Sequence, residues 1–219
     1  MSNLKETKSK AKENNVFSLG KILTVISVLV LIGLVFFGGP VTGFYLFGLD
    51  EAQGGTTENG RPYKGNPDAK VVVVQYSDFQ CPACGAAYEK TKNIVNEFQD
   101  KIKFEYKHFP LSYHVFAYKA AVAAEAAGDQ GKFWEYHDLL YENREHLLKE
   151  DLIKYAEELN LDTEKFTATL ESDEKNSLID ADYQQGVKDG VQGTPSFFVN
   201  GKKVPLSQLR QTIIDELAK

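Results

Sequence analysis

The period of the hydrophobic positions changes several times along this chain. Between Lys21 and Asp50 lie 28 residues without a charge, and Ile22 to Phe37 is an almost unbroken run of Leu, Val, Ile and Phe. A segment with no polar face predicts a helix that lies in lipid. As a helix the 28 residues would rise about 42 Å against a hydrocarbon core of about 30 Å, which puts the span at 22–44 with the aromatic Phe44 and Tyr45 at its edge. Asp50 to Asn66 is polar and glycine-rich with no apolar period, and residues 45–66 read as a flexible tether. From Pro67 the pattern is that of a folded domain running to residue 219. Val71 to Val74, continuing into Gln75 and Tyr76, is an unalternating β-branched run that predicts a strand buried on both faces. A helix follows from Pro82, with Ala87, Ile94, Val95 and Phe98 on one stripe. Ile102, Phe104, Tyr106 and His108 then alternate with Lys103, Glu105 and Lys107, which predicts a second strand and hence a parallel strand–helix–strand unit.

From about 112 to 190 the periodicity is helical throughout, broken near Gly128–Gly131, Arg144–Leu148, Asn160–Asp162 and Ser172–Asp173. An insert of this length exceeds a simple crossover, so a helical subdomain is expected, with Phe133, Trp134, Tyr136 and Tyr141 in its core. Strand character returns at Ser196–Val199. Asn200-Gly201 is a hairpin signal that pairs Lys202–Val204 back antiparallel. Leu206, Leu209, Ile213, Ile214 and Leu217 share one face of a closing amphipathic helix. The fold class is therefore α/β, with one transmembrane helix ahead of it.

Charge sharpens this picture. The chain of 219 residues carries 25 Lys+Arg against 31 Asp+Glu, but residues 1–21 hold five lysines and two glutamates. The basic flank is expected in the cytoplasm, and the folded domain outside the membrane. The acidic remainder excludes a basic nucleic-acid binder. An extracytoplasmic compartment permits disulfides.

The two cysteines of the protein form Cys81-Pro82-Ala83-Cys84, directly after the buried strand and in the first turn of the helix. Pro82 suits the first helical position, where a missing N–H costs nothing, and this leaves Cys81 at the cap. There its sulfur meets free backbone N–H groups and the positive end of the helix dipole, which favour thiolate over thiol. A thiolate is both the attacking species and the better leaving group in disulfide exchange. Cys84, one turn further in, is shielded and suits a resolving thiol. A structural bridge over so short a loop would stabilise weakly. A zinc half-site would need two more ligands, and His108 and His114 fall outside the usual spacing. His137 and His146 lie in acidic amphipathic segments and are expected at the surface or partly packed.

A second feature is Gly193-Thr194-Pro195-Ser196 at the entry to the late strand. Together with Tyr76-Ser77-Asp78-Phe79-Gln80 before the cysteines, Phe109-Pro110-Leu111 with His114 after the second strand, and the long helical insert, it resembles the DsbA-like thiol:disulfide oxidoreductases of the thioredoxin superfamily, in their membrane-anchored form. The resemblance covers residues 67 to 219. It implies a thioredoxin-like fold with a helical insertion, Cys81 as the nucleophile, Cys84 as the resolving thiol, Pro82 and Ala83 as the active-site dipeptide, and Thr194-Pro195 as a cis-proline loop facing substrate. It implies no cofactor beyond a Cys81–Cys84 disulfide and no metal. Its implied partners are reduced or unfolded exported proteins and a membrane quinone-linked enzyme that reoxidises the pair.

Two positions depart from that pattern. Where many relatives carry an acidic residue six positions before the first cysteine this chain has Gln75, which cannot titrate, so a proton relay falls to water, Glu105 or Lys107. Ala83 stands where the strongest oxidants of the family have His, which implies a milder oxidant. The absence of a dimerisation segment and of a second cysteine pair favours net disulfide formation, whereas Thr194 points towards isomerase or reductase activity. A membrane-tethered adaptor with a locked Cys81–Cys84 bridge is the non-enzymatic alternative.

Overall fold

In the computed structural model residues 53–219 are described. The basic segment 1–21, the span expected at 22–44 and the first part of the expected tether lie outside them. Among the described residues no helix is long and apolar enough to cross a membrane.

The β-branched run becomes β3 (Val71–Ser77) and the alternating run becomes β4 (Ile102–His108), paired in parallel with Val71 opposite Ile102 and Ser77 opposite His108. The crossover between them is α1 (Pro82–Phe98). On the other side of β3 lies β5 (Ser196–Val199), antiparallel to it, followed by β6 (Lys202–Val204). The turn between β5 and β6 has positive φ at both Asn200 and Gly201, the backbone a tight hairpin requires. The closing helix is α7 (Leu206–Leu217).

The segment read as a tether is a correction. Gly54–Thr56 (β1) and Pro62–Gly65 (β2) form an antiparallel hairpin whose second strand pairs with β4, so the sheet has six strands in the order β1-β2-β4-β3-β5-β6. The hairpin has no apolar period because long-range contacts hold it. The Trp134 indole N–H donates to the Tyr63 carbonyl at 3.0 Å. A β-carbon at Gly54 would strike the Trp134 ring, so only glycine lets β1 lie there.

The helical insert holds α2 (Ala117–Gly128), α3 (Phe133–Glu142), α4 (Lys149–Glu158), α5 (Thr163–Glu171) and α6 (Asn176–Lys188). Ala120, Ala121, Ala123, Ala124, Ala126 and Ala127 are all buried, and their small side chains let α2 run through the middle of the insert. One face of the sheet packs Val71, Val73, Ile102 and Phe104 against α1 and α7. The opposite face packs Tyr76, Phe109 and Phe198 against Tyr183 of α6. Gly186 allows that close approach, since a β-carbon there would meet the Phe109 ring at 2.6 Å.

Candidate active site

Cys81 is the N-cap residue of α1 and Pro82 its first helical residue. The loop ahead of them is organised by Asp78, whose fully buried carboxylate accepts four hydrogen bonds. Oδ1 takes the N–H groups of Gln80 (2.7 Å) and Cys81 (3.1 Å), while Oδ2 takes the Leu111 N–H and the His114 ring, each at 2.8 Å. One side chain thus fixes both the start of the helix and the loop after β4. Gln80 extends the same junction, because its side-chain oxygen accepts the Phe116 N–H at 2.8 Å.

Cys81 and Cys84 are both buried, while Pro82 and Ala83 between them are exposed. The Thr194–Pro195 peptide is cis and borders the pair, with the Cys81 sulfur 3.5 Å from the Thr194 carbonyl oxygen. The Cys81 thiol is held down to about 5. The largest cause is a hydrogen bond from the Cys84 side chain. Burial opposes it, and the Thr194 side chain and the N–H groups of Cys84 and Ala83 add to the lowering. The helix start therefore contributes through its N–H groups, but the neighbouring thiol contributes more. Burial drives Cys84 the opposite way, far above an ordinary thiol, so it remains protonated. The two sulfurs thus differ in charge state, Cys81 favouring the thiolate and Cys84 the thiol.

Beneath Cys84 lies a buried polar chain. The Ser77 hydroxyl lies near the Cys84 sulfur and favours its charged form, and its oxygen is 2.7 Å from that of Tyr141, which is in turn 3.0 Å from that of Tyr106. Gln75 donates its amide N–H to Ser77 Oγ at 3.1 Å. Gln75 is thus on the cysteine side of the sheet. Glu105 and Lys107 are not, because side chains alternate along β4 and the buried Tyr106 and His108 take that side. Glu105 pairs with Lys103, and the Lys107 ammonium sits over the Tyr76 ring on the opposite face. A relay through either is corrected by that parity.

His137 also corrects its expected place. It is buried among Phe79, Tyr106, Trp134 and Tyr141, with Nδ1 2.8 Å from Asp138 Oδ1. His146 is exposed. His108 pairs with Glu125 at 2.8 Å, and among the described residues no group of three or more His, Cys, Asp or Glu side chains is arranged to hold a metal ion. Sequence patterning identified the cysteines and the proline loop. It gave no part to Ser77, Asp78 or Tyr141, whose partners lie up to 64 residues away.

Comparison with known proteins gives three findings. A family model described as Thioredoxin matches residues 57–215. The chain is 43% identical over 142 residues to the Na(+)/H(+) antiporter NhaA 1 of Salinispora arenicola, a match over 64% of this chain and 22% of that protein, so the chain spans about a fifth of the curated relatives it matches. Among solved structures, a thioredoxin-like oxidoreductase from Silicibacter pomeroyi is 31% identical with a TM-score of 0.65, covering 73% of this chain and 92% of that one. BdbD from Bacillus subtilis superimposes with a TM-score of 0.66 at 24% identity, over 78% of this chain and all of its own.

Proposed function

Because the chain belongs to the thioredoxin family, we propose that it is a thiol:disulfide oxidoreductase whose net reaction forms disulfides in reduced client proteins. The observation that carries this reading is the division between the sulfurs, Cys81 held as thiolate at about 5 and Cys84 kept protonated by burial, beside the Thr194–Pro195 loop. In the oxidised protein a client thiolate attacks the Cys81 sulfur. The Cys81–Cys84 bond breaks with its electron pair on Cys84, which takes a proton. A second client thiolate then attacks the client sulfur of the mixed disulfide, and Cys81 departs as thiolate. Two electrons pass from the client cysteines to Cys81 and Cys84. A leaving group stabilised this well favours oxidation of the client.

The surface around the site supports an unfolded client. Tyr113, Val115 and Phe116 are exposed on the loop that Asp78 and Gln80 hold beside Cys81. We place the domain on the extracytoplasmic side of a membrane, anchored by residues 22–44 with the basic 1–21 in the cytoplasm, and reoxidised by a membrane quinone-linked partner. No cofactor other than the Cys81–Cys84 disulfide enters this scheme. The antiport in the names of the curated relatives is not extended to this chain, because the match reaches only 22% of the first of them.

The test is trapping. A Cys84→Ala variant is expected to hold a reduced, unfolded client as a mixed disulfide on Cys81, and the wild type to convert that client to its disulfide form without accumulating the intermediate. Absence of any mixed disulfide sinks the enzyme reading in favour of a tethered adaptor. Rearrangement of scrambled disulfides without net oxidation reassigns the activity to isomerisation, and net reduction of client disulfides to a reductase.

A further inference from the structure

Opening a Cys81–Cys84 disulfide leaves an electron pair on the Cys84 sulfur, which is closed off from solvent. A proton has to reach it, and the surroundings restrict the routes. The Asp78 carboxylate is already engaged by four donors. The Thr194 hydroxyl is buried beside the cysteines and makes no hydrogen bond, so no proton route runs through it. The Ser77 hydroxyl continues to Tyr141.

Tyr141 lines a small cavity between α1, α3 and the sheet, together with Gln75, Thr91, Lys92, His137 and Asp138. Its volume is about 30 Å³, room for one or two water molecules beside the few polar groups of a largely apolar wall. On its outer side Asp138 accepts from the Lys92 ammonium at 2.8 Å, and both side chains are partly exposed. Resting on the thiol exchange proposed above, we propose that Ser77, Tyr141 and water in this cavity conduct protons between Cys84 and the solvent-reaching His137–Asp138–Lys92 group. The direction of each hydrogen bond suits this. The Gln75 amide occupies one lone pair of Ser77 Oγ, and either oxygen of the Ser77–Tyr141 bond can donate; with Tyr141 donating, the Ser77 hydroxyl proton is free to point at the sulfur. As Cys84 receives the Ser77 proton, Ser77 takes that of Tyr141 and Tyr141 is resupplied from the cavity. In the reverse direction, as Cys84 attacks a mixed disulfide, its proton leaves by the same hops.

The charge states agree with this geometry. Burial keeps Tyr141 protonated well beyond neutral pH, so it passes a proton by exchange and does not ionise. Burial likewise keeps His137 neutral, with its Nδ1–H donated to Asp138. Burial works against the Asp138 carboxylate, but hydrogen bonds from His137 and Lys92 together outweigh it and hold it charged. Lys64 of β2 is the other charged group on the cavity wall. Ser77 touches a reacting sulfur; Tyr141 and His137 act through it as positioning residues.

The experiment uses the full chain and glutathione. The oxidised protein is opened with reduced glutathione and the reduced protein is closed with oxidised glutathione by stopped flow, while the redox potential and the Cys81 thiolate absorbance are recorded for each variant. Tyr141→Phe keeps the ring and removes the hydroxyl. It is expected to slow opening and closing by the same factor, about tenfold or more, with the potential and the Cys81 titration unchanged, because a conduit alters rates and not equilibria. His137→Leu is expected to slow both by a smaller common factor, and carries the test should Tyr141→Phe not fold. Tyr136→Phe, on the same helix but with its hydroxyl on the Leu152 carbonyl, is expected to match the wild type. Unaltered rates in both path variants, or rates that fall only in step with a displaced potential, overturn the conduit. A wild-type protein that glutathione does not open removes the functional reading and the conduit together.

Discussion

Two groups of buried polar residues in this domain are built differently. One joins Arg61 in the β1–β2 turn, Asp182 in α6, His108 in β4 and Glu125 in α2. Arg61 pairs with Asp182, the other Asp182 oxygen accepts the His108 N–H at 3.1 Å, and the His108 ring meets Glu125 at 2.8 Å. These donors and acceptors are spent on one another, and the result is a joint among four elements. The other group runs from the Cys84 sulfur through Ser77 and Tyr141 to a cavity and the partly exposed Asp138 and Lys92. It begins at a reactive atom and ends at solvent. Burial and polarity are common to both, so neither property identifies chemistry; what separates them is that one chain of partners starts at a reactive sulfur and the other only joins structural elements.

The largest effects should break the comparison from opposite sides. Cys81→Ser removes the nucleophile while leaving both groups intact. Exchange with glutathione is expected to fall to the uncatalysed rate, while the domain still unfolds as one cooperative unit. Arg61→Met is expected to do the converse, because it strips the cation from a buried carboxylate. The cost should be about 3 kcal/mol at neutral pH, read as a lower denaturant midpoint, while exchange by the folded fraction is retained. The sign with pH is fixed by Asp182. Burial already raises its carboxyl, and Arg61 is one of the groups that oppose the rise. Without Arg61 the folded protein binds that proton more readily, so the penalty should shrink as pH falls below neutral. A penalty that stays constant with pH would show that the loss is of packing and not of charge.

A smaller effect belongs to the active site. The Cys81 thiol is lowered from an ordinary value near 9 to about 5 on folding, so its contribution is fully present above 9 and lost as pH drops through 5. The stability of the reduced protein is therefore expected to rise between about pH 5 and 9 relative to a Cys81→Ser variant, measured by denaturant midpoints. Above that window Cys84 works the other way, since the folded state holds its proton and the unfolded state does not.

Much of this arrangement is written in short-range pattern. Val71–Val74, the alternation of Ile102–His108, the breaks at Gly128 and Asn160 and the Asn200-Gly201 turn each state their own structure within a few residues, and the Pro82 start puts Cys81 at the cap with no need of the rest of the fold. What escaped reading depends on distance. The β1–β2 hairpin looks like a linker because Trp134 and Asp182, not its own side chains, hold it. His137 looks like a surface residue because its local neighbours are charged, although the ring is enclosed by aromatics from β4, α1, its own helix and the loop after β3. Glu105 and Lys107 were open candidates only while the register of β4 against β3 was unknown. Once Gln75 stands opposite Tyr106, their side is determined.

The smallest effect tests whether enclosure, and not the pairing of arginine with a carboxylate, separates these regions. Arg210 grips Glu97 with two nitrogens, Nε at 2.8 Å, and its guanidinium lies over the Phe98 ring. The chemistry matches that of Arg61 and Asp182, yet both partners are exposed. The hydrogen bond from Arg210 holds the Glu97 carboxyl below its usual range, so any stabilisation is present at neutral pH and lost in acid. Water and salt already solvate each group in the unfolded chain and screen them in the folded one, while the two side chains give up rotamer freedom to meet. Glu97→Gln is therefore expected to leave the denaturant midpoint within error of wild type, and what difference there is should vanish as salt is added. A loss comparable to that of Arg61→Met would mean that pair geometry, whatever its burial, decides the strength of an ion pair in this domain, and the contrast between closed and open polar groups would lose its physical basis.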